Sequence, residues 1–204
     1  MVNQDELRTE RRKQIQFFAK QVFSRKGFHN TSVSDIIHEA DIARGTFYLY
    51  FQSKRDIFDS LLDELLTELR RCIKPIDLGP GAPDPFDQLK ANIRRVIELV
   101  RRDPQLIQIL LHHAAGLDQK SAEIVRNFYA KVLELIERSL QQGIRLGLVR
   151  PCDTRIVASC ILGTIKEVAD DLTSQTWDVS SHERLVEEII DFGLRGVLAR
   201  PLSQ

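Results

Sequence analysis

The 204-residue sequence has one tryptophan, one methionine and three tyrosines, and its three cysteines, Cys72, Cys152 and Cys160, form no CxxC pair. That spacing suits neither a structural zinc site nor a disulfide framework, so free thiols in a reducing compartment are expected. No apolar run is long. The charge-free stretch Leu106 to Leu117 spans 12 residues, against the roughly 20 needed to cross a bilayer. The polar start, MVNQDELRTERRKQ, is not followed by the apolar region of a secretory signal, which points to the cytoplasm. There is also no Gly-rich phosphate loop, no G-x-S-x-G, no H-E-x-x-H and no His pair at i, i+4. No catalytic constellation, metal or cofactor is therefore expected. The adjacent His112 and His113 are read as ordinary helical histidines, and Glu167, Asp170 and Asp171 as a solvated or interface face.

Net charge is absent as well, with 29 basic residues against 29 acidic, which at first argues against a nucleic-acid partner. The distribution argues the other way. Nine basic residues stand against six acidic ones through Lys54, and 20 against 23 beyond it.

What the sequence does contain is helical periodicity from end to end, with no alternating strand pattern of any length. Arg8 to Lys26 reads as a first helix with Ile15, Phe18, Ala19, Val22 and Phe23 on one face, stopped by Gly27. The segment Thr31 to Lys54 then holds two short helical patterns around a tight break. Val33, Ile36, Ile37 and Ala40 line one face of the first, and Ser32 with Asp35 caps it. The second runs from Ala43 to Phe51, with Phe47 and Phe51 turned inward. Arg44, Gly45, Thr46, Tyr48 and Tyr50 are left for its other sides. A first-turn glycine admits a phosphate to the backbone, hydroxyls suit phosphates and base edges, and arginine pairs bidentately with guanine. Two short helices around a tight turn, the second polar-faced, are the DNA-reading arrangement.

The run ARGTFYLYFQSK, from Ala43 to Lys54, resembles the TetR family of transcriptional repressors. The resemblance implies that this helix enters the major groove, and that Thr31, Ser32, Ser34, Arg44, Gly45, Thr46, Tyr48, Tyr50 and Lys54 face DNA, Lys54 through the backbone. The chain departs from the family pattern at two positions. Asp41 stands where a turn glycine is usual and must tolerate a left-handed backbone. Ala43 stands where a capping serine is frequent.

Beyond Ser53 and Asp56, which cap the next helix, the pattern gives an amphipathic helix to about Lys74 and a Pro/Gly-rich loop to Pro85. Helices opened by Asp84-Pro85 and Asp103-Pro104 follow, then long ones from Gln119 to Arg145 and Thr154 to Leu172, and a last one carrying Ile189, Ile190, Phe192 and Gly193. The expected fold is all-α with about nine helices: an N-terminal three-helix helix-turn-helix DNA-binding domain, residues 1–53, and a C-terminal helical bundle, residues 54–204, for effector binding and dimerisation. The last two helices are apolar around too much of their circumference for one neighbour, which suggests pairing across a two-fold axis, with Gly163 and Gly193 either at that interface or against the chain's own core. Two reading helices about 34 to 36 Å apart would then meet one palindrome.

The resemblance further implies a small-molecule effector, enclosed by helices beyond Arg55, whose binding releases DNA. Candidate lining residues are Leu62, Leu66, Ile97, Ile109, His113, Phe128, Cys160 and Lys166, and the apolar cast of the region favours a hydrophobic compound. The expected function is a ligand-responsive repressor, a homodimer on a palindromic operator, with no enzymatic activity and no membrane partner. The alternative is an all-helical ligand carrier or enzyme with a non-DNA-binding N-terminal appendage.

Overall fold

The computed structural model describes residues 4–112, 118–174 and 182–197, the last range with side chains at 184 and 187–193 only. All of its regular elements are helices: α1 (Gln4–Lys26), α2 (Val33–Glu39), α3 (Arg44–Tyr48), α4 (Lys54–Cys72), α5 (Pro85–Arg102), α6 (Pro104–His112), α7 (Gln119–Arg145), α8 (Thr154–Thr173) and α9 (His182–Val197).

Short-range chemistry sets most of the helix ends. Gly27 takes φ 78° and stops α1, the left-handed conformation that costs glycine least. The Ser32 hydroxyl accepts the Asp35 N–H while the Asp35 carboxylate accepts the Ser32 N–H, a complete capping box at the start of α2. Asp84 accepts the Phe86 N–H ahead of Pro85 in α5, and Asp153 accepts from Arg155 and Ile156 in α8. Gly147, at φ 71°, follows α7. The second helix of the reading motif is shorter than its pattern suggests: α3 ends at Tyr48, Leu49 and Tyr50 form a turn after it, and Phe51 lies just beyond.

The chain divides into two compact units, Met1–Leu65 with Pro104–Asn127, and Leu66–Asp103 with Phe128–Gln204. In the first, α1 packs against α2 and α6. Its core is aromatic: Phe23, Phe28, Phe47, Phe51 and Phe58 are all buried, with Phe28 stacked 5.0 Å from Phe23 and 5.1 Å from Phe58. The first half of α4 belongs with the N-terminal helices because Ile57, Phe58, Leu61 and Leu62 complete their core, and α6 joins them through α1. In the second unit α5 packs on α8 and α9, and Ile97 and Ile190 anchor a cluster with Ile93, Leu172 and Ile189.

Candidate nucleic-acid interface and ligand cavity

In the first unit, α3 owes its position to what lies behind it. Phe47 is fully buried and Phe51 nearly so, their rings 6.3 Å apart. The guanidinium of Arg12 sits 4.3 Å above the Phe51 ring and donates to the Tyr50 carbonyl at 3.2 Å, so α1 holds the chain just past α3. The corner between α2 and α3 is made by Asp41 at φ 48°, the one non-glycine with positive φ among the described residues.

With its rear fixed, α3 presents Arg44, Gly45 and Tyr48 to solvent. The Arg44 guanidinium lies 5.9 Å from the Tyr48 ring and makes no hydrogen bond or ion pair with the described residues. A Cβ added to Gly45 would meet open space, so the chain's own packing does not demand glycine there. Thr46 and Tyr50 are half-buried at the margins, and Ser32 and Ser34 are exposed on α2. Leu49 also belongs to this surface at 73% exposure. It is missing from the set expected on this surface, although its place between Tyr48 and Tyr50, off the Phe47–Phe51 face, distinguishes it in the sequence.

Two residues expected on this surface lie beneath it. Thr31 is buried, and its hydroxyl donates to the Gly27 carbonyl at 2.8 Å. Lys54 directs its ammonium inward, to the carbonyls of Phe28, His29 and Thr31.

Ion pairs fasten the surrounding helices. Lys26 meets Asp35 at 2.5 Å and Arg25 meets Glu39 at 2.6 Å, joining α1 to α2. Arg55, at the start of α4, donates through Nε and Nη2 to Asp118, whose other carboxylate oxygen accepts the Ser121 N–H at the start of α7. These bonds hold the carboxyls of Asp35 and Asp118 well below the usual carboxylate range, Asp35 chiefly through Lys26 and then Ser32, Asp118 chiefly through Arg55 and then Ser121.

Between α5, α7, α8 and α9 the second unit holds a cavity of about 730 Å³ that opens to solvent. Its wall is largely aliphatic, with Val96, Leu135, Ile161 and Ile165 among the lining residues, and also carries Phe86 and Phe192. The charged side chains on that lining, Lys74, Arg138 and Arg150, are all basic. Ile97 and Cys160 lie on the wall; Leu62, Leu66, Ile109, Phe128 and Lys166 do not. Leu62 and Ile109 are buried in the first unit, where they pack the DNA-reading helices. Leu66 and Phe128 are buried in the second unit away from the cavity. Lys166 is exposed, its ammonium 4.6 Å over the ring of Tyr129, whose phenol burial pushes up to about 12. His113 lies outside the described residues.

The sequence pattern of bacterial regulatory proteins, tetR family, matches residues 18–61, and that of the tetracyclin repressor-like C-terminal domain matches residues 82–170. The chain belongs to the TetR family. Both halves of the TetR architecture are thus accounted for, the first match containing α2 and α3 and the second containing α5 and α6 and reaching well into α8. The HTH-type transcriptional regulator YdgC of Bacillus subtilis is 27% identical over 197 residues, covering 94% of each chain. The fatty acid metabolism regulator protein of the same organism is 28% identical over 184 residues, covering 86% of this chain and 91% of its own. Among solved structures, a TetR-family regulator from Syntrophomonas wolfei superposes with a TM-score of 0.80 at 24% identity, over 97% of this chain and 100% of its own. FadR of Bacillus subtilis, solved in complex with stearoyl-CoA, does so with a TM-score of 0.73 at 24% identity, over 90% and 98%. At that identity the two superpositions establish the fold.

The depressed carboxyls give this TetR chain a defined acid sensitivity. Because folding lowers both pKa values, their contribution to stability is present above the ordinary carboxylate range and is lost as pH falls through it, from about pH 5 downward. Asp118→Asn keeps an acceptor for the Ser121 N–H but removes the charge facing Arg55. Its melting temperature should decline less than the wild type's over that interval. Parallel melting curves would show the Arg55 pair to be without consequence.

Proposed function

We propose that the chain is a cytoplasmic, ligand-responsive repressor that binds a palindromic operator as a homodimer and lets go when a hydrophobic effector enters the second unit's cavity. The observation that carries this reading is the exposed face of α3: Arg44 and Tyr48 stand outward while Phe47 and Phe51 hold the helix from behind. The proposed DNA-facing set is Ser32, Ser34, Arg44, Gly45, Thr46, Tyr48 and Tyr50. Effector binding acts by favouring a form whose two reading helices no longer match the groove spacing. No catalytic step is part of the proposal.

Dimerisation through α8 and α9 draws support from large apolar side chains left in solvent, Ile156 at 62% and Phe192 at 74% exposure. A Cβ added to Gly163 or Gly193 would meet none of the described residues, which leaves both glycines open to approach by a second copy. For the effector, the largely aliphatic wall and the basic charges among its described lining residues suit an acyl chain ending in an anionic group. The kinship with a fatty acid metabolism regulator supports the same class.

The test is selection of bound duplexes from a random pool, followed by challenge of the complex with acyl-CoA esters of graded length. A two-fold symmetric site, silencing of a promoter that overlaps it, and release by long acyl chains are expected. Ile156→Glu, at an exposed α8 position that does not line the cavity, should yield monomers in light scattering and lose that site. Enrichment of an asymmetric site by a monomeric protein would refute the reading, and indifference to every acyl compound would refute its effector.

A further inference from the structure

The interior position of Lys54 calls for its own explanation. Its Nζ lies 2.8 Å from the Phe28 carbonyl oxygen, 2.9 Å from that of His29 and 2.6 Å from that of Thr31. An ammonium has three N–H donors and no more, so all three are committed within the chain. It also lies 4.9 Å from the centre of the Phe28 ring, in the same aromatic cluster that joins α1 to α4. Burial lowers its pKa, as expected of a group turned away from water rather than offered to a phosphate.

The carbonyls it gathers belong to the turn between α1 and α2, just past Gly27. Three carbonyl dipoles aimed at one point repel one another unless a cation sits among them. Thr31, whose carbonyl makes the shortest of the three bonds, immediately precedes Ser32, the cap of α2. We infer that Lys54 is a positioning residue whose ammonium shapes the α1–α2 turn, and so sets where α2 and its serines stand, and that it is not one of the phosphate contacts.

The inference rests on the DNA-binding reading but is separable from it by experiment. A phosphate contact removed from a protein–DNA complex flattens the slope of log K against log salt by about 0.9. An arginine in its place restores such a contact. Three converging carbonyls require a compact donor, and a planar guanidinium spreads its N–H groups along a fork.

Full-length wild type, Lys54→Met and Lys54→Arg are titrated onto a random-sequence duplex across a salt series by fluorescence anisotropy, and hydrogen exchange is followed at the amides of residues 28–36. Both variants are expected to keep the wild-type salt slope, to bind several-fold more weakly, and to exchange at least tenfold faster in the turn, with arginine giving no rescue. A flattened slope in Lys54→Met that Lys54→Arg restores overturns the inference, and so does unchanged exchange in both. If Lys54→Met does not fold, the slope and exchange of Lys54→Arg decide. Failure of the wild type to bind any duplex removes the DNA-binding reading, and exchange alone then judges the turn.

Discussion

Phe47→Ala should cost the protein about 3 to 5 kcal/mol, the usual range for deleting a fully buried phenyl ring, and DNA binding should go with it. Helix α3 has only five residues, and its N-cap, Ala43, offers no side-chain bond. A helix of that length is not stable by itself in water. It is therefore held by burial, and Phe47, with no exposed surface, is the larger part of that burial within α3. Phe51, anchored under Arg12 just past the helix, adds to it from the other side of the turn. Because 1 kcal/mol moves the melting temperature of a chain this size by about 2 to 4 °C, a drop on the order of 10 °C is expected in a thermal melt. A melting temperature within a degree or two of wild type would mean that something other than the phenyl ring fixes the reading helix.

Arg44→Ala is the complementary experiment, with a large effect on binding and almost none on folding. The guanidinium is exposed and makes no hydrogen bond or ion pair with the described residues, so its loss exposes no buried partner. Surface changes of this kind fall within about 0.5 kcal/mol of neutral for stability. An arginine that reads guanine contributes about 1 to 3 kcal/mol to discrimination, so affinity for the selected operator should fall roughly 5- to 150-fold, with specificity relaxed at one position of each half-site. Anisotropy titrations on the operator and on single-base variants give the answer. Undiminished affinity, or an equal loss on every sequence, would remove Arg44 from base readout.

Much of this was legible in the sequence where the deciding chemistry acts within a few residues. Gly27, the Ser32–Asp35 box, Asp84-Pro85 and Asp153 each set a helix end through bonds to near neighbours, and all four do so in the structure. The inward pair Phe47 and Phe51 was visible for the same reason, as a one-turn repeat. What stayed hidden depends on distant partners. Lys54 reaches back 23 to 26 residues to its carbonyls, Arg12 forward 38 residues to Tyr50, and Arg55 forward 63 residues to Asp118. No spacing rule encodes such pairings. The cavity was hidden for a different reason: periodicity marks the apolar side of a helix but not where two such sides fail to close. Leu62 and Ile97 look alike in sequence, yet one fills the first unit's core and the other borders an open space.

The bend at Asp41 has a consequence for how this corner comes to be formed. A glycine there would adopt φ 48° freely, but before folding it would also wander over both halves of the Ramachandran map, freedom that the native state must then surrender. Aspartate meets a small steric penalty in the left-handed well, softened by its short polar side chain, and begins from a narrower ensemble. The corner thus exchanges a little strain at the end for less disorder at the start, and the angle between α2 and α3 is partly written into the backbone before any core residue closes over it.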